Sequence, residues 1–272
     1  KVHLIPVSRS GVLDLQFISD HINDKTALIS CMFANNETGT VFPIHEVVAL
    51  AKKHNVLVHS DCVQVLGKMP LDLEKLQIDY ATFSGHKFYS LKGTGVLFVR
   101  KNAPFTSLIH GGGQERSRRG GTENVLGISS LQVMLEQLPN LESQNLKILI
   151  LRDQMETEIL KKISNVTITA VESERLVNTS SLVISGVDGE TLLMSLDLLG
   201  FSVSTGAACS SGSPEPSPVL LSMGLSRQEA QNSLRIGLGW LTTESDIKKF
   251  IDALVSVVER IRSVEVKDSH VR

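Results

Sequence analysis

The 272-residue chain sets 27 Lys and Arg against 29 Asp and Glu, a formal charge of −2, which gives no electrostatic case for a nucleic-acid partner or an anionic membrane surface. Its 42% hydrophobic and 21% charged residues are ordinary for a folded globular protein, and its length allows one large or two medium domains. Polar residues interrupt every apolar run before about 18 positions, which excludes a transmembrane helix, and three cysteines without CxxC spacing argue against a disulfide framework or a zinc site, so the chain reads as intracellular.

The opening segment, Lys1-Val2-His3-Leu4-Ile5-Pro6-Val7, is too short and too soon polar for a signal peptide and reads as a strand over 2–7. Short β-branched runs then alternate with amphipathic segments through the first hundred or so residues, the pattern of an α/β layered fold. Strands are expected at 27–32, 56–60, 79–84 and 95–99, and helices near 15–23 and 44–54. Those strands are apolar nearly throughout, as in a mostly parallel sheet covered on both faces. Residues 102–125 change character, with Gly111-Gly112-Gly113 and Gly120-Gly121 around Arg116, Arg118 and Arg119, and read as a functional loop or an interface.

From 126 to 163 the apolar spacing is helical and leads into a second domain beginning near 142. This divides the chain into a large domain, 1–141, and a small α+β domain, 142–272. In the latter, strands at 166–171 and 180–185 precede a helix with Asp188 as N-cap and Gly200 as its close, and strands at 201–204 and 234–238 follow. The last helix begins at Thr243, with Asp246 as capping-box partner, and sets Ile247, Phe250, Ile251, Leu254, Val258 and Ile261 on one face.

Several residues are placed for chemistry. Lys87, in Ser84-Gly85-His86-Lys87, directly follows an apolar strand, so its amine emerges at the carboxyl end of a sheet, where ligands bind in open α/β folds. An arbitrary lysine is a solvated surface group. One so placed, flanked by Ser84 and His86 as phosphate donors, can instead serve as a Schiff-base nucleophile. Asp61 ends the strand 56–60 and would ordinarily cap the turn after it; paired with Lys87, it reads better as the carboxylate that meets a protonated pyridine nitrogen. Gln64 follows on the same turn and can donate to a phenolic oxygen.

Asn35-Asn36-Glu37-Thr38-Gly39 follows the strand 27–32 and is a good plain turn. Arg235 sits on a late strand between apolar neighbours and needs an anion, either a structural carboxylate or a substrate carboxylate held in bidentate fashion. Cys209 lies in Ser204-Thr205-Gly206-Ala207-Ala208-Cys209-Ser210-Ser211-Gly212-Ser213, a run of small residues where burial is not expected, and exposed thiols are the reactive kind. Pro214, Pro216 and Pro218 stiffen the far end of that run. Cys31 and Cys62 read as packing residues.

With these residues in place, the chain resembles the cysteine desulfurases of the NifS/IscS type, within the class V aminotransferases of the fold-type I pyridoxal-phosphate enzymes. The resemblance runs through essentially the whole chain. It implies a pyridoxal 5'-phosphate-binding large domain and a small domain carrying the catalytic cysteine. Lys87 matches the family's cofactor-linking lysine, Asp61 and Gln64 its ring-nitrogen and phenolic-oxygen partners, and Ser84 and His86 its phosphate ligands. Asn36 and Arg235 match the residues that hold the substrate carboxylate, and Cys209 the persulfide-forming cysteine. The segment from His110 to Thr122 looks like a dimer-crossing loop whose threonine reaches the partner's phosphate, which gives the arginine cluster a context without nucleic acid.

The implied reaction converts L-cysteine to L-alanine. The lysine amine, once released, moves protons, and the Cys209 thiolate takes the substrate sulfur as a persulfide for delivery to an iron-sulfur scaffold or another acceptor. A cytoplasmic homodimer is expected, or an organellar one in a eukaryote. Family members normally carry a further amino-terminal portion with a glycine-rich phosphate turn and a ring-stacking histidine, so the chain reads as an amino-truncated piece. Trp240 stands where arginine is commoner, and the long carboxyl tail with which some members meet a scaffold is absent. The alternatives are a selenocysteine lyase, a non-catalytic fragment that does not bind the cofactor, and a cysteine hydrolase, which would leave Lys87, Asp61 and Arg235 unexplained.

Overall fold

The structure, a computed structural model, describes residues 1–206 and 215–269, with side chains to residue 264. It forms two compact units. One comprises Leu15–Ala34 and Phe42–Ser143; the other comprises Lys1–Asp14, Asn35–Val41 and Gln144–Arg272. We call them the lysine unit and the arginine unit.

The lysine unit is built on a four-stranded sheet in the order β1 (Leu28–Met32), β2 (Leu57–Asp61), β3 (Tyr80–Ser84), β4 (Gly95–Val99). The first three strands are parallel and β4 runs antiparallel to β3. Helix Ile44–Lys53 buries Ile44, Val47, Val48 and Ala51, an i, i+3, i+4, i+7 stripe, and packs on β2 and on helix Leu15–His21. Asp79, buried just ahead of β3, accepts the Val58 N–H at 2.8 Å and pairs with Arg100, fastening the entry of β3 to β2 and to the exit of β4.

The expectation of a sheet covered on both faces does not hold throughout. In β1, Ile29 and Cys31 are buried while Leu28 is 47% exposed, and in β4 Val96 and Leu97 are 43% and 49% exposed. β1 therefore alternates, as a strand with one open face must. Residues 2–7 are not a strand either. Val7 bridges Leu13, and Val2 and Leu4 are exposed, because a β-favouring run pairs only where a neighbouring strand is at hand.

The helical stretch 126–163 is three helices, Val125–Glu136, Leu138–Ser143 and Asn145–Lys162. Pro139 supplies the physical reason for the first break: it has no N–H for the carbonyl four residues earlier, and it disfavours helical angles at Leu138. Asn124 caps the first of these helices through the Gly127 N–H at 3.1 Å.

The arginine unit carries an antiparallel sheet in the order β5 (Val166–Ile168), β6 (Thr179–Ile184), β7 (Ser233–Gly237). β6 is buried along its whole length. Helices Asn145–Lys162, Gly189–Leu198 and Glu244–Ser269 pack with the sheet around Met155, Ile159, Leu182, Leu192, Leu234 and Leu254. Asp188 caps its helix through the Thr191 N–H at 2.8 Å, and Thr243 and Asp246 form the expected reciprocal cap. Ile247, Phe250, Ile251, Leu254 and Val258 are buried and Ile261 partly so. Residues 201–204 make no strand; Ser204 alone pairs with Arg235 at the edge of β7.

Two buried arginines fasten the connection ahead of β6. Arg152 donates to the Leu176 carbonyl at 2.8 Å, and Arg175 holds Glu156 through two bonds of 2.8 and 2.9 Å. Among the described residues no helix is long and apolar enough to cross a membrane.

An α/β layer and an α+β unit are the architecture expected from the resemblance. Because Leu234 is fully buried, Leu234→Ala is expected to cost about 3 kcal/mol in denaturant unfolding, whereas Leu198→Ala, at an exposed position of its helix, is expected to change stability by less than about 0.5 kcal/mol.

Candidate active site

The lysine unit collects its polar groups at one edge of the sheet. Asp61 is the last residue of β2 and Ser84 the last of β3. Since the two strands are parallel, with Asp61 opposite Thr82, both carboxyl ends open on the same side. A single turn of 3₁₀ helix, Gly85–Phe88, then carries His86 and Lys87, whose side chains are exposed, while Phe88 is buried beneath them. Gly85 has no room for a side chain: a Cβ there would lie 2.8 Å from Thr94 Oγ1 and 2.9 Å from Leu131 Cδ2. Its N–H bonds the Thr94 carbonyl at 2.9 Å. The lysine backbone is thereby fixed from below by Gly85 and Phe88, and its amine is left to reach outward.

Ser84 Oγ and His86 Nδ1 lie 2.9 Å apart. Asp61 Oδ1 accepts the Val63 N–H at 2.9 Å, so this carboxylate does shape the turn after its strand. The turn takes only one of the two carboxylate oxygens, so the other stays available to a further donor. Gln64 Oε1 accepts from Lys68 Nζ at 2.6 Å, which directs the amide NH₂ end away from that bond as the available donor. Thr122 is exposed on the glycine-arginine segment, and Arg119 folds back onto that segment's own carbonyls, including Gly121 at 2.7 Å. Residues 115–117 adopt left-handed backbone angles. The arginine cluster is thus partly committed to its own loop.

One residue without an assigned role proves central to this edge. His59, two positions before Asp61, has Nδ1 2.8 Å from Ser30 Oγ on β1 and Nε2 3.3 Å from Thr82 Oγ1 on β3. It ties three strands together directly behind the carboxylate. Burial lowers its pKa, and the negative charge of Asp61 opposes that shift. The i, i+2 spacing of His59 and Asp61 was the available signal, since alternate residues of a strand share a face.

The arginine unit holds a second group of residues. Arg235, on β7, donates from Nη1 to the Asn36 carbonyl at 3.1 Å and, among the described residues, enters no ion pair. The turn it meets is rigid: Asn35 Oδ1 accepts the N–H groups of Glu37 and Thr38 at 2.8 and 3.0 Å, and Gly39 takes the left-handed angle the turn requires. Cys209 lies outside the described residues. Among those described, no group of His, Cys, Asp and Glu is placed to hold a metal ion.

The profile of the family described as Aminotransferase class-V matches residues 1–250. The chain belongs to this family. Among its class-V relatives, the cysteine desulfurase NifS of Azotobacter vinelandii is 39% identical over 264 residues, 97% of this chain and 66% of that protein. The cysteine desulfurase IscS of Clostridium botulinum is 40% identical over 267 residues, 97% of this chain and 67% of that protein. The solved NifS-like protein of Rickettsia africae superposes with a TM-score of 0.86 at 35% identity, over 94% of this chain and 69% of that one. This chain therefore spans about two thirds of the length of the relatives it matches.

The other two thiols are inert packing groups, as expected. Burial pushes Cys31 up to about 12, and burial together with the Asp61 charge pushes Cys62 up to about 11. Iodoacetamide at pH 8 is expected to leave both unmodified in the native protein and to label them in guanidinium, as peptide mass spectrometry would read directly. Each folded pKa exceeds the unfolded value of 9.0, so the stabilisation is whole below pH 9 and is lost as the pH rises toward the folded values. Denaturant midpoints should accordingly fall above pH 9, by about 1.4 kcal/mol per thiol for each pH unit.

Proposed function

We propose that this chain carries the lysine and sulfur-carrier portions of a pyridoxal-phosphate-dependent cysteine desulfurase. The observation that carries the reading is the shared edge of β2 and β3, where an amine, a carboxylate, an amide donor, a hydroxyl and an imidazole are gathered. That donor set suits pyridoxal phosphate. Lys87 would hold its carbonyl carbon, Asp61 its ring nitrogen, Gln64 its phenolic oxygen, and Ser84 and His86 its phosphate, with Thr122 serving the phosphate of a second copy. When bound, the cofactor supplies an electron sink for charge developing at the substrate α-carbon. The 39% and 40% identities to proteins named as cysteine desulfurases support the same choice.

The chain's own residues then divide the work. Arg235 and Asn36 take the substrate carboxylate, for which a guanidinium on a partly buried strand is well suited. The Lys87 amine, once free, carries protons to and from the substrate carbon. The Cys209 thiolate attacks the substrate sulfur: the sulfur-sulfur bond forms as the carbon-sulfur bond breaks, and protonation of the carbon leaves alanine. A persulfide remains for a sulfur acceptor or an iron-sulfur scaffold protein. A reducing compartment such as the cytoplasm suits unpaired thiols. A homodimer is supported by the exposed apolar residues flanking Thr122, with Leu108 91%, Ile109 59%, Val125 68% and Leu126 73% exposed.

Adding pyridoxal phosphate to the purified chain should give a visible absorption band that borohydride bleaches and that Lys87→Ala lacks. A well-folded chain without that band would be a non-catalytic fragment. Sulfide released from cysteine should vanish in Cys209→Ser, while selenide release from selenocysteine that exceeds sulfide release and survives the substitution would make the protein a selenocysteine lyase. Size-exclusion elution as a dimer, shifted toward monomer by charge at Leu108 and Ile109, tests the assembly.

A further inference from the structure

Lys68 is a cation that the mechanism above does not use, and it lies on the same turn as a residue that the mechanism does use. After Asp61 closes β2, the chain turns back through residues 62–69. The Cys62 N–H bonds the Thr82 carbonyl of β3 at 2.9 Å, and the Val65 N–H bonds the Cys62 carbonyl at 3.0 Å. The Lys68 and Met69 N–H groups both bond the Val65 carbonyl, at 3.0 and 3.2 Å. Cys62 and Val65 are completely buried, so the turn is held from beneath. Gly67 takes the left-handed angle at φ +75° and approaches the buried Leu141, where a Cβ on the glycine would lie 3.1 Å from Leu141 Cδ1. Just past that reversal Lys68 meets Gln64: Nζ donates to Oε1 at 2.6 Å, between two partly buried side chains.

The chemistry of this contact is one-sided. An ammonium group has donors and no acceptor, so the carboxamide atom that it meets must be the oxygen. A glutamine with only hydroxyl or water neighbours can present either end of its amide, since those partners both donate and accept. Beside a lysine, the turned-over amide would set its NH₂ group against an ammonium. The Gln64 NH₂ is thereby committed to the side away from Lys68. The charge also draws electron density toward Oε1, which makes the N–H bonds stronger donors.

We propose that Lys68 is a positioning residue: it fixes which end of the Gln64 amide serves the shared edge of β2 and β3, and it strengthens that end as a donor. This rests on the reading of Gln64 as the partner of the phenolic oxygen of pyridoxal phosphate. An ionised phenolic oxygen accepts and cannot donate, so the carbonyl end of the amide would oppose it and the NH₂ end alone can serve it. One turn then delivers the carboxylate of Asp61 and a donor that cannot reverse. Lys68 acts through Gln64 and is assigned no contact of its own with cofactor or substrate.

The test reads the amide itself by NMR in the isotope-labelled, cofactor-free chain, with the Gln64 side-chain signals identified by their loss in Gln64→Ala. In Lys68→Met the Gln64 carbonyl carbon should move upfield and its two NH₂ protons should interchange faster, because losing the charged donor lowers the double-bond character of the C–N bond. Lys68→Arg keeps a cation that only donates and should stay close to native on both measures. Lys68→Ala serves the same comparison if Lys68→Met does not fold. Gln64 signals that are unchanged in the folded variant would overturn the proposal. With pyridoxal phosphate added, half-formation of the visible band should need about fivefold more cofactor in Lys68→Met, with little further loss when Lys68→Met is placed on Gln64→Ala. A Lys68→Met loss that persists in full on Gln64→Ala would also overturn the proposal, because Lys68 would then not act through the amide. A native chain that forms no band sinks the functional reading instead, and the amide signals still decide the role of Lys68.

Discussion

Parallel pairing of β2 with β3 is the constraint on which the lysine edge depends. Parallel neighbours end on the same side, so a residue that closes one strand and a turn that closes the next are brought together without any long-range coincidence. Asp61 and the Ser84–Lys87 turn occupy those two places. Had β3 run antiparallel to β2, as β4 does to β3, their carboxyl ends would lie at opposite edges. The hydrogen bonds that His59 shares with Ser30 and Thr82 reinforce this arrangement at the row that matters, just before the strands end.

The arginine unit reaches a comparable precision by a different route. Its sheet is antiparallel with a fully buried middle strand, and the segment 35–41 is bound to the connection before β6 through backbone bonds, Leu176 N–H to the Gly39 carbonyl at 2.8 Å and Val41 N–H to the Glu174 carbonyl at 2.8 Å. Five residues of that segment, Asn35, Glu37, Thr38, Gly39 and Thr40, are buried, though four of them are polar. They are tolerated because nearly every polar atom finds a partner within the turn or beside it. A polar buried turn gives a unique geometry where an apolar one would give only adhesion.

Much of this was legible in the sequence, and the failures have physical causes. Strands 95–99 and the helix after Asp188 were readable because turn chemistry and capping residues are local. Lys87 and Asp61 could be singled out because a polar residue directly after an apolar run marks a strand's end. The strand expected at 2–7 fails because pairing is not local, and the helical spacing over 126–163 leaves the breaks between its helices unmarked because apolar spacing says nothing about where a missing N–H interrupts it. For His59 the sequence offers only its i, i+2 spacing from Asp61, since the partners of a histidine inside a strand lie across the sheet. The partner of Glu37 is hidden for the same reason: Ser217 is 180 positions away in sequence.

The ion pair between Arg175 and Glu156 has a consequence for how this protein can vary over evolutionary time. Both side chains are less than a tenth exposed, and the guanidinium holds the carboxylate through two bonds. Replacing either partner alone strands a charge in an apolar setting, and lysine cannot reproduce the fork. A neutral drift at one position is therefore closed until the other has changed, and an apolar pair of matching volume is reachable only by a double step. These two positions should vary as a unit among relatives, one written on the long helix and the other on the connection before β6.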